Sequence, residues 1–452
     1  MSTYKSVAFA NDNREKFIAM RRDLHQHPEP GWLEYRTAAM AADRLTELGY
    51  DLKVGKEVVK AESRMGVPED AVMKAAMDRA LQEGANPKWV EAMGYGFTGM
   101  VATLHFDDEG PTVAFRADID SNDVMESTAD DHLPVKEGFV SKHEKAMHAC
   151  GHDAHLTMAL GLAEYITTHK EGLHGTFKLI LQPAEEGVRG AKSMVDAGVV
   201  DDVDIFFGMH IGINKNIAGC LACLNNGFLA TTKLDVTFKG YSSHAGGSPE
   251  LGKNSLLAAC TAALNLQAIS RHSKGNSCIN VGVLESGTGR NVIPDRAYLQ
   301  IETRGATGEV NDYICKRAYE VLKGAAAMYE NEVDIKEMGS APACINSEDL
   351  AKEVQVIAKD LGIFKDVPLA NEGGGSEDCA YFLERVIGNG GRGTYMILGS
   401  DIAAPHHNPK FNIDEKDMIN GIAFTGALIE SYLKENKHNK LKENKHNKLK
   451  VE

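Results

Sequence analysis

The stretch FKLILQPAEE, residues 177–186, shows the pattern that decides the fold, an apolar run followed at once by acidic side chains. Pro183 stops the run, and Glu185 and Glu186 come directly after it. Similar runs recur along the chain as MVATLHF at 100–106, TVAFRA at 112–117, DIFFGM at 204–209 and TYMILG at 394–399. Short apolar runs of this kind, alternating with helical segments, are typical of parallel strands buried on both faces. The sequence therefore predicts an α/β fold.

Residue types that bind metals follow four of these five strands. They are Asp118 and Asp120 after the run at 112–117, Glu185 and Glu186 after the run that Pro183 stops, His210 after the run at 204–209, and His406 and His407 on the loop after the run at 394–399. Open α/β sheets bind their ligands at the carboxyl ends of the strands. We therefore expect these side chains to converge on one metal site.

The segment MHACGHD, residues 147–153, adds a thiol and an imidazole to this set. In a loop, side chains two positions apart can point the same way, so Cys150 and His152 can share a metal, and Gly151 permits the tight geometry. Taken alone, a C-G-H triplet is more often structural. Its place inside HACGHDAH, directly before the helical segment TMALGLAEYITTH, favours metal binding.

The two adjacent glutamates suggest a division of labour. Side chains of neighbouring residues diverge, so one of Glu185 and Glu186 can bind a metal while the other exchanges a proton with a water on that metal. A solvated turn with two acids is the alternative. His210 ends an apolar strand and must be hydrogen-bonded or metal-bound. His407 lies on a loop, where histidine is usually only exposed, and the convergence of strand ends alone favours it as a ligand.

The chain divides into several regions. Residues 228–337 show two-sided alternation in the order β-helix-β-β-helix-β, which predicts an α+β domain inserted between two parts of a catalytic domain, 1–227 and 338–432. Residues 56–98 have helical composition with a weak apolar face and are interpreted as a helical insertion. The Lys-rich repeat of LKENKHNK predicts a solvated charged tail at 433–452.

Bulk properties exclude several classes of function. The formal net charge of -15 opposes binding to nucleic acid or to an anionic membrane surface. No run approaches the roughly 20 apolar residues of a membrane helix, and the start, MSTYKSVAFANDNREKF, lacks a signal-peptide core. The eight scattered cysteines favour reduced thiols. We therefore expect a cytoplasmic protein.

Several ordered motifs resemble those of the metallo-aminoacylase and carboxypeptidase family, in its amidohydrolase branch of hippurate hydrolases and plant auxin-conjugate hydrolases. The motifs are RRDLHQHPEPGWLE (21–34), MHACGHDAH (147–155), LQPAEEGVRGAKSMV (181–195), SSHAGGSP (242–249), GRNVIPD (289–295), GGGSED (373–378) and HHNPKF (406–411). The resemblance covers nearly the whole chain except its C-terminal tail. One departure is RADIDSN at 116–122, where the family usually has RADMDAL, so the wall after the second Asp is more polar.

The resemblance implies a zinc-peptidase-like mixed sheet flanked by helices, with a ferredoxin-like α+β lid or dimerisation domain inserted. It also implies two divalent metal ions, Zn or Mn, with Glu185 as general base and Cys150 bridging the metals. The implied ligands are Cys150, His152, Glu186, His210 and His407. His407 is preferred to His406 because the family's ligand stands two residues before the proline that matches Pro409.

The resemblance also assigns roles outside the metal ligands. His244 would reach the active site of a neighbouring subunit and polarise the scissile carbonyl, while Asn291 and Arg304 would hold the substrate's free carboxylate. An ion pair between Arg304 and Glu302 on the same face of one strand is the alternative. A flexible loop, Gly374, Gly375 and Ser376, would line the pocket. Asp118 and Asp120 would orient ligands or serve only the fold.

The predicted reaction is hydrolysis of an amide bond in a small molecule, an N-acyl amino acid or an aminobenzoyl-glutamate-like substrate. The resemblance implies a homodimer or a heterodimer with a related subunit. One alternative is one half of a two-chain hydrolase that is weakly active alone. Another is a deacetylase or phosphoesterase on a similar two-metal site, although phosphoesterase sites usually hold more oxygen ligands than this thiolate-containing set.

Overall fold

The computed structural model describes residues 4–213 and 217–434. Apart from Leu433 and Lys434, the predicted charged tail lies outside these residues. Leu433 is fully buried as the last residue of the final helix, and Lys434 pairs with Leu173, so the described fold includes the first two residues of the predicted tail. Within the described ranges, none of the helices combines the length and the apolar character that a membrane span requires.

The strands of the described residues form a large mixed sheet, a second sheet and one short pair. In chain order they are β1 (Asp51–Val54), β2 (Met100–His105), β3 (Thr112–Asp118), β4 (Thr176–Gln182), β5 (Ile205–Ile211), β6 (Leu221–Ala222), β7 (Leu224–Asn225), β8 (Ala230–Lys239), β9 (Ser277–Ser286), β10 (Arg296–Gly305), β11 (Glu332–Ala341), β12 (Ala370–Asn371) and β13 (Arg392–Leu398). The large sheet has the order β1-β2-β4-β3-β5-β13-β6, and β7 pairs with β12.

Four central strands of the large sheet, β4, β3, β5 and β13, run parallel, as their apolar runs predict. The prediction that the run at 100–106 is also parallel is wrong, because β2 pairs antiparallel with both β1 and β4. Only residues 106–111 join β2 to β3. A parallel crossover needs about a dozen residues or more, so this short connection forces the chain to reverse direction.

Helices cover both faces of the large sheet. In chain order the helices are α1 (Lys5–Asp12), α2 (Arg14–Gln26), α3 (Tyr35–Glu47), α4 (Asp70–Gln82), α5 (Pro87–Met93), α6 (Leu133–Lys136), α7 (His152–Thr168), α8 (Ala191–Asp196), α9 (Ser255–Gln267), α10 (Gly308–Met328), α11 (Glu348–Leu361), α12 (Ala380–Gly388) and α13 (Glu415–Leu433). Side chains of β4 alternate between the two layers. Leu179 packs in the core with α7 and α13, and Ile180 packs in the core with α8 and α12. Burying each such side chain contributes about 1.5–3 kcal/mol.

The second sheet has the order β11-β8-β10-β9, all antiparallel, and α9 and α10 cover one of its faces. The element order β8-α9-β9-β10-α10-β11 is the one expected from the alternation in residues 228–337. Strand β11 continues beyond that range to Ala341, because pairing with β8 resumes after a bulge near Gly339. The role of this region as a lid or dimerisation domain stays a prediction.

The predicted insertion at 56–98 contains α4 and α5 together with two short 3-10 turns. It packs on α3, and its Trp89 and Val90 join the main core. The backbone carbonyl of Met65 accepts a hydrogen bond from the indole of Trp32 at 2.8 Å. The insertion is thus anchored to the segment that leads into α3.

Candidate metal centre

Cys150 and His152 meet where a loop becomes a helix. His152 is the first residue of α7, and Gly151 before it has a φ of 89°, in the left-handed region. A Cβ at position 151 would come within 2.8 Å of the Ile211 side chain. Conformation and space therefore both require glycine here, and the sharp turn directs the thiol and the imidazole into one buried space.

Hydrogen bonds orient the imidazoles of His152 and His210. Nδ1 of His210 donates to the Ile211 carbonyl at 2.8 Å, which leaves Nε2, 3.4 Å from the Cys150 Sγ, as the nitrogen with the free lone pair. Nδ1 of His152 donates to the Asp120 carbonyl at 2.9 Å. Ligating histidines commonly have their second nitrogen held in this way. Both rings thus present Nε2 as a metal ligand would.

Glu186 connects this pair of imidazoles to the loop after β13. Its Oε1 lies 3.9 Å from Nε2 of His152, and its Oε2 lies 3.5 Å from Nε2 of His407. The donor atoms of Cys150, His152 and His210 lie within 4.8 Å of one another, as do those of Cys150, Glu186 and His407. The structure therefore brings the five predicted ligands together as two groups that share Cys150.

Two unsatisfied atoms test whether a cation fits this space. Nε2 of His152 and Oε1 of Glu186 are buried, and neither has a hydrogen-bond partner among the residues that the structure describes. A buried polar atom without a partner is costly. A divalent metal held by thiolate, imidazole and carboxylate would satisfy both atoms.

The structure separates the two adjacent histidines of the last loop. Nε2 of His406 lies 3.3 Å from the carbonyl oxygen of Ile211, and the His406 ring packs against the ring of Phe411. Burial lowers the pKa of His406 to about 4. His407 instead pairs with Glu186, which raises the pKa of His407. Only His407 therefore joins the metal-binding groups, in keeping with the predicted ligand.

Glu185 lies buried among other acidic residues of the site. Its Oε2 lies 4.0 Å from Nε2 of His152. Carboxylate oxygens of Glu185, Glu377 and Asp378 lie within 4.8 Å of one another. Burial, followed by the charges of Glu377 and Glu186, raises the pKa of Glu185 well above its usual value. Glu186 differs: burial acts to raise its pKa, but the hydrogen bond with His407 and the charges of His152 and His407 together lower the pKa of Glu186 to about 2. Environments of this kind are typical of an acid-base residue beside a ligand.

Two aspartates hold this arrangement, Asp118 as the last residue of β3 and Asp120 just after the strand. The carboxylate of Asp120 accepts the backbone N–H groups of Glu185 and Glu186 at 3.1 and 2.9 Å. Asp118 contacts Nδ1 of His155 at 2.5 Å and Arg116 at 2.7 Å. Asp120 thus contacts the turn that carries both glutamates, whereas Asp118 connects the ligand region to an arginine.

Arg116 is not among the predicted site residues, yet it is fully buried next to the site. It binds Asp118, Glu377 and Gln182, and Glu377 in turn accepts a hydrogen bond from Tyr395 at 2.5 Å. The predicted pocket motif GGGSED contains Glu377 and Asp378, so the sequence does carry a signal for these two acids. Arg116 likewise begins the stretch RADIDSN, but the apolar strand around it does not reveal which side chains it meets.

A cavity of about 330 Å³ opens beside the ligands. Residues from three parts of the molecule line this cavity. They are Cys150, Glu185, Glu186, His210 and His407 of the metal site, Lys233 and Arg304 of the second sheet, and Gly374, Gly375 and Ser376 of the predicted loop. Arg304 forms the ion pair with Glu302 that is one of its two predicted interpretations, and it also faces the cavity. The hydroxyl of Ser376 donates to the Leu229 carbonyl at 2.9 Å.

His244 and Asn291 lie elsewhere in the chain. They are neighbours, because the carbonyl of Asn291 accepts the backbone N–H of Ala245 at 3.0 Å, and neither residue lines the cavity. Both are exposed and precede β10, whereas Arg304 lies near the end of that strand. The stretch from Arg296 to Arg304 alone spans roughly 27 Å at about 3.4 Å per residue. One chain therefore does not bring these two residues to its own metal ligands.

Comparisons with known proteins find relatives that match nearly the whole chain. The chain is 47% identical over 399 residues to the indole-3-acetyl-aspartic acid hydrolase of Enterobacter agglomerans, covering 88% of this chain and 91% of the relative. It is 45% identical to one of the named subunits of the p-aminobenzoyl-glutamate hydrolase of Escherichia coli K12, over 90% and 94% of the two chains. The crystal structure of an aminobenzoyl-glutamate utilization protein from Klebsiella pneumoniae matches with a TM-score of 0.81 at 39% identity, over 94% and 98%.

These matches confirm the mixed sheet flanked by helices and the family resemblance of the motifs. Residues 114–431 match the family described as peptidase family M20/M25/M40, and they include the five candidate ligands. The match spans well over half of the chain. The chain therefore belongs to peptidase family M20/M25/M40, and it is a metal-dependent amidohydrolase.

Proposed function

We propose that this chain hydrolyses the amide bond between an acyl or aroyl group and an acidic amino acid, as in an aminobenzoyl-glutamate-like substrate. One observation carries the proposal: four of the five candidate ligands, Cys150, Glu186, His210 and His407, line a single cavity with Glu185 and Arg304. The fifth, His152, groups with Cys150 and His210 behind that lining. Two relatives support the substrate class, since their names specify amides of aspartate and glutamate. An N-acyl amino acid of another type is the broader form of the same proposal.

The metals of the proposed enzyme are two divalent ions, Zn or Mn, held by Cys150, His152, Glu186, His210 and His407. The thiolate belongs to both groups of donor atoms, which supports a bridging role for Cys150. When bound, such ions supply Lewis acidity, which promotes ionisation of water and polarises an amide carbonyl.

The chain's own residues would move the proton and orient the substrate. Glu185 takes a proton from the attacking water and returns it to the nitrogen of the leaving amino acid. Its carboxylate is buried beside the ligands, with Oε2 4.0 Å from Nε2 of His152. Arg304 binds the free carboxylate of the substrate, for which a planar guanidinium is well shaped. Gly375 and Ser376 line the same cavity and would form part of the wall that contacts the substrate.

His244 and Asn291 would act on the site of a second protomer. Both are exposed and neither lines the cavity of its own chain. In a dimer, each protomer would place these two residues in the active site of the other. His244 would stabilise the charge that develops on the carbonyl oxygen, and Asn291 would contact the substrate carboxylate. The second protomer is a copy of this chain or a related chain.

Replacing each of the adjacent glutamates tests the catalytic roles. We expect Glu185→Gln to lower kcat at least about 1,000-fold while the metal content stays unchanged, because only the proton acceptor is lost. Glu186→Gln, the matched variant, should lose both activity and bound metal. Rates are measured on 4-aminobenzoyl-glutamate, and metal by mass spectrometry of the purified protein. Full activity of Glu185→Gln would refute its role as base.

A dependence on a partner chain is a second possibility that one observation favours. The Escherichia coli relative is by its name one subunit of its hydrolase, and the candidate carbonyl-polarising residue lies outside the chain's own cavity. Assays of the purified chain alone and after mixing with a candidate partner separate the two cases. Full activity of a homodimer contradicts the need for a partner, and activity only in the mixture supports it.

A further inference from the structure

Lys233 on β8 faces the metal centre without belonging to the predicted site. It lines the cavity together with Arg304, and its Nζ lies 2.8 Å from Oε1 of Glu302. Arg304 contacts the same carboxylate, with its Nη2 3.1 Å from Oε1 and its Nε 3.1 Å from Oε2. Two cationic side chains of the second sheet therefore share one carboxylate beside the ligands.

This triad has one positive charge in excess. Glu302 is in addition 3.3 Å from the hydroxyl of Thr231, so its oxygens already have several donors. The side chain of Lys233 is 33% exposed and that of Arg304 is 29% exposed, so both can reach a molecule in the cavity. The carboxylates of the lining, Glu185, Glu186 and Glu377, lie on the side of the metal ligands. An anion in the cavity would balance the excess charge of the triad.

The strand register sets the spacing of the two cations. Lys233 lies opposite Glu302, and Arg304 is two residues further along β10 on the same face. Such diagonal neighbours are about 7–8 Å apart at their Cα atoms, and the flexible side chains can shorten or lengthen the gap at their tips. Two cations at this spacing suit a ligand with two carboxylates a few bonds apart. An aspartate or glutamate moiety is such a ligand.

We propose that Lys233 binds the side-chain carboxylate of an acidic amino acid whose α-carboxylate is bound by Arg304. This assignment rests on the proposed function and makes Lys233 the residue that selects acidic over neutral substrates. A substrate without the second carboxylate leaves the excess charge of Lys233 unpaired. A charged hydrogen bond of this kind accounts for about 10- to 100-fold in affinity.

The test compares 4-aminobenzoyl-glutamate with 4-aminobenzoyl-glutamine, which lacks only the second charge. We expect Lys233→Met to raise KM for the glutamate substrate about 10- to 100-fold, with kcat and metal content unchanged. KM for the glutamine substrate should change by less than about 3-fold. Lys233→Arg should retain most of the preference for glutamate, because it keeps the positive charge.

Lys239→Met is the matched control, since Lys239 is on the same face of β8 six residues away and does not line the cavity. It should leave both KM values unchanged. Equal effects of Lys233→Met on both substrates, or no effect on either, would overturn the role of Lys233 in selection. If the wild-type enzyme itself does not prefer glutamate to glutamine, the acidic substrate class of the proposed function fails instead.

Discussion

Asp120 shows how much of this site depends on a single carboxylate. Its two oxygens accept the backbone N–H groups of Glu185 and Glu186, and its backbone carbonyl accepts Nδ1–H of His152. One residue therefore sets the orientation of the candidate base and of two candidate ligands. Interactions of this kind, one step removed from the metal, typically change metal affinity about 10- to 100-fold when lost.

We expect Asp120→Ala to weaken metal binding about 10- to 100-fold and to lower kcat even at saturating metal, because the turn with both glutamates loses its acceptor. Competition with a chromophoric chelator measures the affinity, and initial rates measure the activity. Asp123→Ala is the control, since Asp123 is exposed and three residues further along the same loop. Wild-type metal affinity in Asp120→Ala would show that the two N–H contacts are dispensable.

At the scale of an element, the turn between β4 and α8 is the most constrained part of the site. Ala184 and Val188, on either side of the two glutamates, have φ values of 51° and 58°. Left-handed backbone is costly for a non-glycine residue, above all for a β-branched one, and it persists only where neighbours enforce it. The backbone N–H of Ser340, at the end of β11, donates to the Val188 carbonyl at 2.9 Å, which ties the turn to the last strand of the second sheet.

Arg189 also holds this turn, and it connects the turn to the insertion at 56–98. Its Nε donates to the Glu186 carbonyl at 2.7 Å and its Nη1 to the Gly66 carbonyl at 3.2 Å. We expect Arg189→Met to lower kcat about 10- to 100-fold with a smaller change in KM, since small displacements of a catalytic group are costly. Steady-state kinetics with metal analysis checks this prediction.

Lys192→Met provides the comparison for Arg189, because Lys192 lies on the following helix and forms only a partly exposed ion pair with Asp196. Exposed pairs contribute little to stability, so the activity of this variant should stay within about 2-fold of the wild type. If Arg189→Met behaves in the same way, the insertion does not help to position the glutamates.

Over the whole molecule, the sequence predicts which strands are buried better than it predicts strand directions or remote contacts. Strands buried on both faces have a continuous apolar signal, so the four parallel strands could be predicted. The direction of β2 depends on the length of the connection after it, which the apolar run itself does not encode. Lys233 shows a second limit, because a lysine in an alternating strand looks like any solvated residue until the fold places it beside the cavity.

We expect bound metal to contribute to the stability of the molecule as well. Without metal, Nε2 of His152 and Oε1 of Glu186 stay buried and unpaired within the described structure, and several carboxylates crowd around Glu185.

An ion that binds only the folded state, at a free concentration of about 1,000 times its Kd, raises the free energy of unfolding by about 4 kcal/mol. Metal removal should therefore lower Tm by roughly 5–10 °C in calorimetry. Zinc or manganese should restore Tm and magnesium should not, because magnesium prefers oxygen ligands. An unchanged Tm in verified metal-free protein would show that the site is stable without its ions.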